Sequence, residues 1–412
     1  MALPQPKSED QVSASSTSNR PPRVGLDLIG EHATKLSRNL HRQLETAFPP
    51  RAQKSFRKLT SGEVAKLLGV ADSYLRQLSL DGKGPDVEIQ PNGRRLYSLK
   101  DVANLRAYLD ANAKGERQYL KHRSGSEHLQ VIACTNFKGG SAKTTTAAHL
   151  AQYLAINGYR VLAIDLDPQA SLSAVHGLHP ELDVLENQTL YGNIRYSGAR
   201  VPLKDIIRPT YIEGLDIIPA NLELMEFEHE VPMALQNKQE GKRFFDRVNG
   251  ALETVHHNYD IVVIDCPPQL GYLTLSALSA ATGIVITVHP QMMDVMSMAQ
   301  FLTMTKDLLS VLKNAGGNTE YDWLKYLVTR YEPNDVPQAQ MVQYLRKMFG
   351  DYVLGNEMLK STAVSDAGIM KKTIYEAERA DFTKGTIDRA IDSMNAVNRD
   401  IETLVLQAWG RI

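Results

Sequence analysis

The chain has 412 residues, 43% of them hydrophobic and 23% charged, with 46 Lys/Arg against 47 Asp/Glu and two cysteines. This is the composition of two or three globular domains; no apolar run reaches the roughly 18 residues of a membrane span, and Cys134 and Cys266, each inside an apolar run, form neither a disulfide framework nor a metal-binding pair. The net charge of -1 hides an asymmetry, because residues 51–126 hold 15 Lys/Arg against 8 Asp/Glu and leave the rest of the chain acidic, and a basic stretch invites a polyanion.

Residues 1–22 are rich in Ser, Pro and Gln, carry no signal-peptide pattern and read as a disordered tail. Across residues 23–50, Leu26, Ile29, Ala33, Leu36, Leu40 and Leu44 recur at helical spacing until Pro49 and Pro50 stop the pattern. One such amphipathic helix, or two short ones, cannot shield its own stripe, so it packs on the next domain or pairs with a second copy, and dimerisation is the favoured reading.

Residues 51–113 form the next module. Val64, Ala65 and Leu68 make one apolar helix face, Gly69 permits a sharp turn, and Val70 and Leu75 pack a second helix back on the first: the build of a helix-turn-helix. Ser73, Tyr74, Arg76 and Gln77 are left to face a DNA groove. Asn92-Gly93 then signals a hairpin, and Arg94 and Arg95 beside it supply cations. Together the two halves resemble the winged helix of MerR-type regulators, with the wing on the DNA backbone. The charged, Gly- and Ser-containing stretch 114–128 reads as a linker.

From residue 129 to 412 strands and helices alternate. Strands are expected at Gln130–Thr135, Arg160–Ile164, Leu215–Pro219, Ile261–Ile264, Ile284–Val288 and Trp323–Thr329. Most are continuous apolar runs, as in an α/β fold whose mostly parallel sheet is covered by helices on both faces. The first strand runs into Phe137-Lys-Gly-Gly-Ser-Ala-Lys-Thr144 and a helix over Thr144–Ile156. A Gly-containing loop at a helix N-terminus aims backbone N–H groups and positive partial charge at one spot, where a phosphate fits. Lys143 would reach the β- and γ-phosphates of ATP or ADP and Thr144 would offer its hydroxyl to Mg²⁺. Against the ordinary GxxxxGK[ST] pattern, Phe137 and Ala142 stand where glycines belong.

The KGGxxKT run from Lys138 to Thr144 resembles instead the signature of the deviant-Walker ATPases, the group of MinD, nitrogenase iron protein and the ParA partition proteins. The resemblance implies a P-loop NTPase in which Gly139, Gly140, Ser141, Ala142, Lys143, Thr144 and Thr145 cradle the nucleotide while Lys138 reaches into the other subunit of a dimer. It further implies that Asp167 orients the attacking water, that Asp165 lies near the metal's water shell, and that Asp265, ending Ile261-Val-Val-Ile-Asp265, holds a Mg²⁺-bound water. With the N-terminal helix and winged module, the chain is most similar to large ParA proteins of low-copy plasmids, the RepA partition proteins of repABC replicons. That similarity implies a cytoplasmic, nucleoid-associated ATPase with no membrane partner, which represses its own operon, binds operator and nonspecific DNA, and is stimulated by a ParB-type centromere-binding protein. Lys371 and Lys372, in a stretch diluted by Glu376 and other acids, are candidates for the nonspecific DNA surface. A repressor that merely senses nucleotide, without a segregation role, is the alternative.

Overall fold

The computed structural model describes residues 25–47, 54–113, 119–236 and 241–412, in two units, one ending at Gln53 and the other spanning Lys54–Ile412. In the first, α1 is a single helix from Leu26 to Ala47, and Leu26, Ile29 and Leu36 of its apolar stripe are exposed. The expected tail and the prolines at 49 and 50 lie outside the described residues.

The second unit begins with a small module. It consists of β1 (Leu59–Thr60), α2 (Ser61–Leu68), α3 (Asp72–Leu80), β2 (Glu88–Ile89), β3 (Arg95–Tyr97) and α4 (Leu99–Ala111). The strands form an antiparallel sheet of order β1-β3-β2. Thr60 with Glu63, and Ser98 with Asp101, make reciprocal capping boxes that start α2 and α4, satisfying N–H groups the first helical turn leaves unpaired. Gly69 ends α2 in the left-handed region at φ 64°, a conformation that costs glycine little. The hairpin turns at Gly93, with the Asn92 side chain accepting from Arg94 N at 3.0 Å.

The main body is a seven-stranded sheet built from β4 (Gln130–Thr135), β5 (Val161–Asp165), β6 (Arg208–Pro209), β7 (Leu215–Ile218), β8 (Ile261–Asp265), β9 (Gly283–Val288) and β10 (Trp323–Val328). Its order is β10-β9-β4-β8-β5-β7-β6, and only β6 runs antiparallel to its neighbour. Each expected strand is present with ends shifted by no more than one residue; β6, two residues with a proline, is the one the sequence conceals. Successive side chains of a strand face opposite sides, so Ile132 and Cys134 enter one apolar layer, with α5 (Lys143–Ile156) and the helix Lys384–Ala408, while Val131 and Ala133 enter the other, with the helices Tyr272–Ala280 and Met292–Asn314.

The small module shares the first of these layers: Leu105 and Leu109 of α4 belong to the same core as Tyr159 and Leu154. Buried Arg106 donates to the carbonyls of Ile156 at 3.0 Å and Tyr119 at 3.3 Å. Residues 119–128, the described part of the expected linker, are tied down on both sides. Arg123 donates its backbone N–H to Asp260 and its Nε to Tyr259 O, while Trp409 donates to His128 O and Arg411 pairs with Glu127. Ile401, Val405 and Trp409 are buried, so the C-terminal helix is a core helix. Among the described residues, no helix is long and apolar enough to cross a membrane.

Candidate functional site

Because β4, β8 and β5 are adjacent and parallel, their C-terminal ends open on one side of the sheet, and sequence-distant groups meet there. Register places Cys134 of β4 opposite Asp265 of β8, and Asp265 opposite Asp165 of β5. The loop leaving β4 arches over them before entering α5. Gly140 has φ 76° and Ala142 φ 68°, so the departure from glycine at 142 places a methyl-bearing residue in a left-handed conformation costing about 1–2 kcal/mol. Strain of this kind persists where the surroundings over-determine the backbone, and here they do. Thr287 donates to Ser141 Oγ at 3.0 Å, Thr329 to Ser141 O at 3.1 Å and Arg330 to Gly140 O at 3.3 Å. Below the loop, Asn136 accepts from Lys138 N at 3.0 Å and donates to Thr287 O.

Lys143 is buried, and its ammonium donates to Lys138 O at 3.2 Å. Burial pushes its pKa down, while Asp265, Cys266 and Asp167 pull the other way. Asp165 is fully buried and accepts from Ser173 N at 2.8 Å, Ser173 Oγ at 2.7 Å and Asp167 N at 3.2 Å. Burial raises its pKa, and those hydrogen bonds oppose the rise without cancelling it. Asp265 is equally buried, yet neither carboxylate oxygen has a hydrogen-bond partner. Burial drives its pKa well up and nearby Asp165 adds to this, against the weaker opposing influence of Thr144 and Lys143. Asp167, half-buried just past β5, accepts from Gln169 N at 2.9 Å.

A buried carboxylate without partners is costly, and its oxygens beside Thr144 are the hard donors a Mg²⁺ ion accepts. Among the described residues no cluster of three or more His, Cys, Asp or Glu could enclose a metal. That agrees with a Mg²⁺ ion held largely by water and phosphate oxygens, to which a protein contributes one or two ligands. The residues present therefore fit Mg²⁺ with a nucleotide.

Lys138 stands apart from the rest of the loop. Its ammonium pairs with Asp294 Oδ1 at 2.8 Å, a contact that no local pattern in the sequence announces. Asn136, Thr287, Thr329 and Ser173, which hold the loop and Asp165, were likewise not legible, since ordinary polar residues at strand ends carry no distinguishing signal.

The remaining candidates lie elsewhere. On α3, Ser73, Tyr74, Arg76 and Gln77 are all exposed while Leu75 and Leu78 are buried, and Arg94 is exposed at the hairpin with Arg95 half-buried beside it. These side chains share a module but not the sheet-end site. Lys371 and Lys372 are half-buried, and the Lys371 carbonyl accepts from Lys54 at 2.7 Å. Glu376, which on sequence dilutes a basic face, is instead buried and pairs with Lys54 at 2.8 Å.

The geometry agrees with comparison to known proteins. Residues 129–315 match the family described as AAA domain. A Rhizobium rhizogenes protein named as replication protein A is 56% identical over 390 residues, covering 94% of this chain and 96% of its own length. The chain belongs to the ParA/MinD family of P-loop ATPases. A solved partition protein shares the fold with TM-score 0.62 and 18% identity over 93% of this chain and 98% of its own. A Cyanothece McdA variant solved as an ATP complex gives TM-score 0.53 and 19% identity over 69% of this chain and 98% of its own.

Proposed function

We propose that the chain is a plasmid-partition ATPase that works as an ATP-switched homodimer. Lys138, Gly139, Gly140, Ser141, Ala142, Lys143, Thr144 and Thr145 hold the triphosphate, with Lys143 on its β- and γ-phosphates. Thr144 and Asp265 would hold Mg²⁺ or its water, with Asp165 in the surrounding water shell; the ion supplies positive charge to the phosphoryl group being transferred. Asp167, just beyond the strand end, orients or deprotonates the attacking water. Lys138 of each copy lends its ammonium to the other copy's phosphates, adding positive charge where negative charge develops in the transition state.

The N-terminal module, read as a winged helix-turn-helix, sets Ser73, Tyr74, Arg76 and Gln77 in a groove of operator DNA and Arg94 and Arg95 on its backbone, repressing the operon. Lys371 and Lys372 serve a second, sequence-independent DNA surface, α1 contributes to dimerisation, and a ParB-type partner stimulates hydrolysis. The observation that carries this reading is the partnerless, buried Asp265 carboxylate beside Lys143 under the loop. Equilibrium binding of labelled ATP with magnesium tests it. Lys143→Ala is expected to weaken binding by about a hundredfold, roughly 3 kcal/mol for a lost charge-assisted contact, and binding unchanged in that variant would remove the site.

A further inference from the structure

The side chain assigned to act across a dimer is already engaged within its own chain. Lys138 Nζ lies 2.8 Å from Asp294 Oδ1, and the Asp294 side chain is only 12% exposed against 38% for Lys138. Both ends of Lys138 are fixed locally: its N–H is held by Asn136 at 3.0 Å and its carbonyl by the Lys143 ammonium at 3.2 Å. Only the side chain is free to change partner. Asp294 sits in the first turn of the helix Met292–Asn314, and that helix also meets the loop where Phe137 stacks on Phe301, ring centroids 5.9 Å apart. The carboxylate is therefore carried on a helix rather than on a loop. Its second oxygen lies 3.9 Å from His289 Nδ1.

An ammonium held by Asp294 at 2.8 Å has its charge largely satisfied there, so Asp294 competes for it with phosphates bound by another copy. We propose that Asp294 is a positioning residue that parks Lys138 in the separate protomer, so that forming the active dimer requires an exchange of counterions, Asp294 for phosphate. The exchange leaves a mostly buried carboxylate without its lysine, which opposes dimer formation and sets the protein concentration at which hydrolysis switches on. Exposed Met292, Met293 and Met296 on the same turn pair of that helix place an apolar surface directly beside the parked ammonium. A second copy covering that surface would bury the methionines, and the free energy of that apolar burial would offset the cost of the exchange.

This inference rests on the role assigned to Lys138 across the dimer, and the experiment separates the two. In the nucleotide-free full-length protein, the acylation rate of Lys138 by a small amine-reactive ester is followed by peptide mass spectrometry, with exposed Lys100 as internal reference. Asp294→Asn and Asp294→Ser are expected to raise the Lys138 rate about three- to fivefold relative to Lys100, the release of one partly screened ion pair, and to lower the protein concentration giving half-maximal ATPase activity by a similar factor. Asp294→Glu keeps the charge and is expected to stay near wild type on both readouts, which distinguishes loss of the charge from damage to the fold. Unchanged labelling overturns the proposal, as does faster labelling with an unchanged or higher half-maximal concentration. Full ATPase activity in Lys138→Ala would instead remove the underlying trans role, whatever the Asp294 variants do.

Discussion

Glu376 and Asp265 are both buried carboxylates, one surrounded by donors and the other not. Glu376, where the N-terminal module meets the main body, accepts from Lys54 and Gln152 at 2.8 Å each and from Tyr211 at 2.8 Å, with Thr373 N at 3.2 Å. Asp265, under the phosphate loop, has no well-formed hydrogen bond on either oxygen, only the weaker pull of nearby Thr144 and Lys143. Burial alone would push both pKa values up. At Glu376 the partners win and hold it below the ordinary value, whereas at Asp265 burial wins. At Lys54, burial outweighs the attraction of Glu376 and lowers the lysine's pKa. The two ends of that ion pair thus pull in opposite directions, and the carboxylate's four donors make its side the more secure. A buried charge with a full set of donors is architecture; one with none marks a place where a ligand completes the structure.

Lys54→Met should have the largest effect, destabilising the protein by about 3 kcal/mol because it strands a buried carboxylate; it also frees the Val175 and Lys371 carbonyls that Lys54 now holds. Denaturant unfolding monitored by circular dichroism measures this, and a loss no greater than for an exposed lysine would show that the junction is not held by the pair. Glu376→Gln keeps the shape and removes the charge, with an expected loss of about 2 kcal/mol. Asp265→Asn should move in the opposite direction, stabilising the nucleotide-free protein by about 1 kcal/mol as it removes a buried carboxyl whose ionised form the burial disfavours.

The smallest effect concerns acidity. Because the folded pKa of Glu376 lies below its unfolded value, its contribution is present above the unfolded value and disappears as pH falls through the folded one. The melting-temperature gap between wild type and Glu376→Gln should therefore hold steady from neutrality to about pH 4.5 and narrow below it. A gap that widens on acidification would contradict the assigned sign.

The same contrast explains what could be read from the sequence. The sheet was legible because its strands are buried on both faces and so carry unbroken apolar runs. The loop was legible because phosphate binding demands backbone N–H groups, glycine and lysine in one short stretch. Asp165 and Asp265 could be picked out as strand-terminal acids, but not the difference in their partners, which comes from Ser173 on the short helix Ser171–Val175. Glu376 reads on sequence as one more surface charge, since its partners come from Lys54, Gln152 and Tyr211, residues scattered along the chain. Asp294 looks like any acid in a helix's first turn. What escapes sequence reading is the pairing of charges between distant segments, where no local period or spacing constrains the choice.

The most direct test of the central claim is the thermal unfolding of Asp265→Asn beside wild type, with and without Mg-ATP. The variant is expected to melt higher than wild type by about 2 °C without ligand and to gain little or nothing from Mg-ATP, while wild type gains clearly by mass action. A variant that melts lower without ligand, and still gains as much from Mg-ATP as wild type, would contradict that claim.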